Sequence, residues 1–367
     1  MSGLLWFFGA GASAPFGIPT MQDMVKELNE ILKQDKNAHD EKDLFESIVR
    51  FLENTTDRPV DLEAVFSVVD SIANWSSDRI NIPTLFSASR KSNKMSIHEM
   101  KTVKPIDVNK VYGQDVIETA KQLKNRFIDY VQSACEINED THVDIERYFQ
   151  FLFTNVANHW SKVGGVSSYG TMDGGLYCKW PIFTTNYDVI LETYWEKFAQ
   201  REIITGFEPN GKWNRRLLQS DDLRLYKLHG SLCWWQDQDG KIQKLQVIPK
   251  GGKKASGEVF KSQVMIYPIE EKQLYLDPYV CLFERLNYEL KKNDIWIVIG
   301  YSFGDQVISN VFEEESNQFT KLIIVGPHAK DISKRLPGFK GTIYPIQFRF
   351  ADGDAAKIPD EISQYIS

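Results

Sequence analysis

Five short apolar runs punctuate the chain: Leu4–Phe8, Trp180–Thr184, Leu223–Leu228, Ile295–Ile299 and Leu322–Val325. Apolar runs this short, with little alternation, predict strands covered on both faces, as in a parallel sheet. Tyr344–Phe350 is read as a last strand. Each of the five runs ends in a small or polar cluster: GAGAS, TNYD, HGS, GYSFGD and GP. Open α/β sheets bind ligands outside the carboxyl ends of their strands, so these clusters predict one shared crevice.

Between the first and second runs the texture changes. Segments 20–36, 40–54, 61–75, 113–136 and 142–163 carry apolar residues at helical spacing. They predict a mainly helical insertion over residues 21–170, with residues 1–20 and 171–367 forming the sheet-bearing domain. Segment 76–112 mixes Ser, Lys and Pro and reads as a loop or a partner-facing excursion. The stretch GGVSSYGTMDGG at 164–175 reads as a mobile linker. After HGS, hairpin-like strands are expected near 241–249 and 263–268. The sequence PKGGKKASGE between them lacks GxxxxGK[ST] and reads as a solvated loop.

Composition narrows the class. A chain of 367 residues exceeds one ordinary domain, which fits one large domain with an insertion, or two domains. With 42% hydrophobic and 13% aromatic residues it can bury a sizeable core and is not a disordered chain. A net charge of −7 gives no electrostatic footprint for nucleic acid or an anionic membrane. The N-terminal apolar run is too short to span a bilayer and lacks the basic flank of a secretory signal. Cys135, Cys178, Cys233 and Cys281 are scattered without a CxxC pair, which predicts no zinc site, no disulfide framework and a cytoplasmic setting.

The candidate chemistry sits in the strand-end clusters. Gly9-Ala10-Gly11-Ala12-Ser13 follows a strand directly, where glycines let backbone amides approach a phosphate. A dehydrogenase fingerprint would need a third glycine, and Pro15 follows Ala14 instead. In Thr184-Thr185-Asn186-Tyr187-Asp188, helix capping explains Asp188 well and Asn186 less well. His229, at a strand end before Gly230-Ser231, is placed to accept a proton near neutral pH. Gly300 and Ser302 of the GYSFGD cluster suit a ribose or phosphate, and Asp305 reads as an N-cap.

Taken in order, GAGAS with Gly17-Ile18-Pro19, then TTNYD, KLHGS and GYSFGD resemble the sirtuin-like family, in its bacterial NAD-hydrolase branch. The resemblance covers roughly residues 1–20 and 178–330. It implies a Rossmann-like parallel sheet of the sirtuin type. The chain departs from the protein-deacylating members in three ways: Thr20-Met21-Gln22 follows the GIP, TTN replaces TQN, and the two CxxC pairs of the zinc module are absent. Loss of the zinc module weighs against deacylation, which becomes the least supported enzyme reading, and leaves the NAD pocket intact.

The resemblance further implies an NAD+ glycohydrolase that releases nicotinamide and ADP-ribose, with NAD as substrate and no metal. Asn186 would position the nicotinamide ribose or the attacking water, and His229 would be the general base. Asp188 would contact the carboxamide or orient the loop. Ala10, Gly11 and Ser13 would hold the pyrophosphate, Thr185 would add to the pocket, and Gly300 and Ser302 would hold the adenosine side. A cyclase or transferase on the same pocket, or a non-catalytic NAD-sensing subunit of a defence complex, are the alternatives. The implied setting is bacterial antiphage defence, as a homo-oligomer with a partner such as a HerA-type ATPase or an Argonaute-like protein.

Overall fold

The computed structural model describes residues 3–55, 60–73, 114–137, 139–163, 169–172, 175–220, 222–245, 262–265, 277–350 and 356–366. The chain divides into two compact units. One gathers Met1–Ile18, Glu136–Ile266 and Glu270–Ser367, and the other is built mainly from Pro19–Cys135.

The first unit is organised by six parallel strands: β1 (Leu4–Phe8), β4 (Pro181–Thr184), β5 (Arg224–Lys227), β9 (Ile295–Ile299), β10 (Lys321–Val325) and β11 (Thr342–Ile346). Their order is β11-β10-β9-β1-β4-β5. Phe8 is in register with Ile299 on one side and Thr184 on the other, and Thr184 with Lys227. The carboxyl ends of four neighbouring strands are therefore level. Strands β1, β4, β5 and β9 are buried along their whole length, as strands covered on both faces are, and β5 takes Arg224 and Lys227 into the interior with it.

Both faces of β1 are packed, because successive side chains point to opposite sides of a sheet. Phe7 meets Tyr301 and Phe312, with ring centroids 4.8 and 5.4 Å away. Trp6 and Phe8 face the other way, onto Phe153 and Phe149 of helix α5 (His142–Lys162). The edges are managed differently. Strand β11 carries Pro345, tolerable only where ladder hydrogen bonds are dispensable. Beside β5, Ile204 forms a parallel bridge to Arg224 that covers the edge.

The second unit holds helices α1 (Met21–Gln34), α2 (His39–Thr55), α3 (Leu62–Ala73) and α4 (Gln114–Ala134). Thr20 caps α1 by accepting from the Asp23 amide. Phe45 and Phe66 both pack on Phe127 of α4, with centroids 5.8 and 5.6 Å away. Arg126 on the same helix pairs with Asp35 at 2.8 Å and Glu41 at 3.2 Å.

Three details differ from the sequence expectation. Within the expected linker at 164–175, Tyr169–Met172 (β2) pairs antiparallel with Gly175–Cys178 (β3), so part of it is a hairpin. The strands Ile242–Lys244 (β7) and Ser262–Met265 (β8) do not pair with each other; both flank β6 (Gly230–Gln236). The last strand runs Thr342–Ile346 rather than 344–350, and Gln347 follows it without a ladder partner in β10. The excursion 76–112 and the sequence PKGGKKASGE at 249–258 lie outside the described residues. No helix among the described residues is long and apolar enough to cross a membrane.

Candidate active site

The sheet changes winding direction between β1 and β9: the chain runs outward from β1 through β4 and β5, then restarts at β9 and runs outward the other way. Ligands of open α/β sheets bind at such a point. Here the two loops interlock. The Gly9 amide donates to the Ile299 carbonyl and the Gly11 amide to the Gly300 carbonyl, each at 2.9 Å. Gly300 has φ +66°, and a Cβ on it would lie 2.3 Å from the Ala12 nitrogen. Only glycine satisfies both conditions at once.

The GAGAS loop is itself tightly wound. Ala10–Ala12 and Ala14–Phe16 are two short 3-10 turns, with the Ala12 amide donating to the Gly9 carbonyl and the Ser13 amide to the Ala10 carbonyl. The amides of Gly11 and Ser13 thus serve the turn and its neighbour. Ala10 and Gly11 are partly exposed and Ser13 is buried.

Asn186 joins this loop to the end of β4. Its Nδ2 donates to the Gly9 carbonyl at 3.0 Å and to Ser13 Oγ at 2.8 Å. A carbonyl can only accept, so the amide group of Asn186 has one permitted orientation. Its Oδ1 is left buried with no hydrogen bond among the described residues. Its own backbone amide donates to Thr184 Oγ1, and the Thr185 amide to the Phe8 carbonyl.

Asp188 is buried and does act as a local cap, accepting from the Ile190 amide at 3.0 Å. Burial pushes its carboxyl above the usual carboxylate range. The Lys227 ammonium, the Ile190 amide and the Ser13 hydroxyl oppose that shift without cancelling it. Ser13, Asn186, Asp188, Glu192 and Lys227 form the polar wall of a small pocket whose apolar wall includes Phe8 and Phe149.

His229 follows β5 and is 4% exposed. Its Nε2 lies 3.2 Å from Asp305 Oδ2, in the loop after β9. Asp305 divides its carboxylate: Oδ1 accepts from the Val307 and Ile308 amides and caps helix α8 (Gln306–Glu315), while Oδ2 faces the imidazole. Burial alone would raise this carboxyl. The bond to His229, the charge of that ring and the two amides outweigh burial and hold it below the usual range. The pairing bridges the ends of β5 and β9, with β1 and β4 between them.

The structure thus brings Ala10, Gly11, Ser13, Thr185, Asn186, Asp188, His229 and Gly300 to one end of the sheet. Ser302 is exposed, and its carbonyl accepts from Arg335 at 2.9 Å. Three participants escaped the sequence reading. Asp305 was sufficiently explained as an N-cap, and the aspartate–histidine contact spans too much sequence to be read from spacing. Lys227 and Glu192 gave no signal beyond the motif letters around them.

Residues 181–335 match the SIR2-like domain. The match takes in Asn186, Asp188, His229, Gly300, Ser302 and Asp305, and stops short of GAGAS. The six-stranded parallel sheet with its large helical part is the α/β architecture expected from the sequence. Among the described residues no group of His, Cys, Asp and Glu could hold a metal ion. A solved Sir2 homologue in complex with NAD aligns at 13% identity over 100% of this chain and 90% of its own, with TM-score 0.41. A mutant Sir2 homologue with ADP-ribose aligns at 13% identity over 100% and 92%, with TM-score 0.39. A third, reporting the structural basis for the mechanism and regulation of Sir2 enzymes, aligns at 15% identity over 99% and 91%, with TM-score 0.40. No curated protein matches the chain.

Proposed function

We propose that the chain cleaves the nicotinamide–ribose bond of NAD+, giving nicotinamide and ADP-ribose. One observation carries the reading: the buried, clamped Asn186, whose Oδ1 has no partner among the described residues. An unmet buried acceptor costs about 1–3 kcal/mol and is kept where a ligand or water supplies the donor. Because Nδ2 is committed, Asn186 can only accept, which suits a ribose hydroxyl or an attacking water. The SIR2-like match over residues 181–335 supports the choice of dinucleotide.

The nicotinamide leaving group is already cationic, so its departure needs little acid help. Catalysis then rests on orientation and on a base for the incoming hydroxyl. In this reading His229 is that base, and Asp305 stabilises the imidazolium that forms. Asp188 faces the carboxamide end, Ala10, Gly11, Ser13 and Thr185 the phosphate and ribose, and Gly300 and Ser302 the adenosine side. The biological reading that goes with it is NAD+ depletion in antiphage defence by a homo-oligomer, with a HerA-type ATPase or an Argonaute-like protein as partner.

The test is incubation of the purified protein with NAD+, followed by chromatography of the products. Nicotinamide and linear ADP-ribose are expected from the wild type, with turnover lowered by ~10²–10⁴-fold in His229→Ala. Cyclic ADP-ribose or a modified protein would move the assignment to a cyclase or a transferase. NAD+ bound and left intact would move it to a sensor. Sedimentation over a range of concentrations checks the oligomer.

A further inference from the structure

The mechanism above makes no use of Lys227, a buried lysine in the wall of the pocket. It ends β5 two residues before His229, and only 1% of its side chain is exposed. Its ammonium donates to the backbone carbonyl of Asp188 and pairs with Glu192 Oε1 at 3.1 Å. Glu192 is itself buried, at 7%. Burying an ammonium and a carboxylate together adds little or nothing to stability compared with apolar residues of the same volume. A methionine at 227 and another at 192 would pack the same space without desolvating two charges. The pair therefore needs an explanation other than stability.

Its contacts provide one. The carbonyl that Lys227 holds belongs to the short loop between β4 and helix α6 (Ile190–Thr193), the loop that carries Asn186 and Asp188. The front of this loop is fixed to β1, through the Thr185 amide on Phe8 and the Asn186 side chain on Gly9. The Tyr187 carbonyl accepts from the Leu232 amide at 3.0 Å. At Asp188, Lys227 holds the backbone by a charged donor, and charge-assisted bonds are roughly twice as strong as neutral ones.

We propose that Lys227 is a positioning residue that fixes the Asn186–Asp188 loop through the Asp188 carbonyl, with Glu192 as the counter-ion that keeps its ammonium aimed. The proposal rests on the NAD+-cleavage reading for its effect on turnover, but not for its effect on the loop.

Two variants of the full chain test it. Lys227→Met leaves Glu192 buried without its cation and is expected to lose thermal stability. Lys227→Met/Glu192→Met removes both members of the ion pair, leaves Asp188 as the neutral acid that burial already favours, and is expected to melt within a few degrees of the wild type. Hydrogen exchange by mass spectrometry is then read over residues 185–190, alongside kcat and KM for NAD+. In the double variant, exchange in the loop should rise by about tenfold or more, while β1 and β9 stay as protected as before. The kcat should fall by about tenfold or more with KM little changed, as misplacement of a positioned group does. Loop exchange and kcat both at wild-type values would overturn the proposal and leave a purely structural ion pair. Faster loop exchange with unchanged kcat would overturn it equally. If the wild type leaves NAD+ intact, the NAD+ reading fails by itself, and the exchange measurement alone decides whether Lys227 fixes the loop.

Discussion

Asp305 serves two elements with its two oxygens: Oδ1 caps helix α8 through the Val307 amide at 2.8 Å, and Oδ2 meets His229 Nε2 at 3.2 Å. The division makes the two roles separable by mutation. Asn caps helices about as well as Asp, whereas Ala does not. Asp305→Asn should keep the wild-type melting temperature within a few degrees, while Asp305→Ala should lose about 1 kcal/mol more. Both should lower NAD+ turnover, since neither provides a carboxylate to the imidazolium. Calorimetry set beside a nicotinamide-release assay checks this, and Asp305→Asn with full turnover would confine Asp305 to capping.

Asp188 gives the opposite stability sign. Its folded-state carboxyl is raised above its unfolded value, mainly by burial. Between those two values the folded state binds more protons, so the group's contribution worsens as pH rises through that window. Asp188→Asn removes the titration. It should melt higher than the wild type at pH 8, with a gain that shrinks as pH falls toward the unfolded carboxyl value, and turn over NAD+ more slowly. Paired melts at pH 8 and near the unfolded carboxyl value decide it; a gain that grows as pH falls contradicts the burial argument.

Asn186→Asp is nearly isosteric and should be more damaging than its size suggests. It places a carboxylate oxygen where Nδ2 now donates to the Gly9 carbonyl. An acceptor facing an acceptor in a buried site costs about 1–3 kcal/mol. Asn186→Ala, which removes the group, should be better folded and equally inactive. Circular dichroism melts of the two variants test the order.

Gly300 and Gly17 share a positive φ, +66° and +86°, but not an environment. A Cβ at Gly17 meets nothing within 4 Å, whereas at Gly300 it would lie 2.3 Å from the Ala12 nitrogen. Gly17→Ala should cost about 1–2 kcal/mol from the left-handed backbone alone. Gly300→Ala should cost well beyond that and separate the β1 and β9 loops. A denaturant midpoint for each variant tests the contrast, and equal midpoints would mean that the interlocked loops relax freely.

Much of this was legible in the residues. Leu4–Phe8 and Ile295–Ile299 are strands over the predicted span because a strand buried on both faces leaves no polar position to blur its ends. Helix α5 was equally legible as a helix, yet it belongs to the unit of the sheet, where Phe149 and Phe153 cover β1. Periodicity identifies an apolar stripe, not the surface that receives it. In the site, Asn186 stood out because capping did not account for it, and His229 because it stands at a strand end before Gly230-Ser231. Asp305 and Lys227 did not, since each fills an ordinary local position and acquires its second partner only through long-range folding.

The order of strands also fixes when a synthesised chain can acquire its site. Strand β1 leads the sequence but sits at the centre of the sheet, between β4 and β9. The loop holding Gly9 and Gly11 waits for Asn186 on one side and Gly300 on the other, and His229 waits for Asp305. A ribosome must therefore pass residue 305 before the crevice can close around anything. Every shorter translation product has a histidine without its carboxylate. For a chain whose proposed activity consumes a shared metabolite, the topology itself keeps unfinished copies inert.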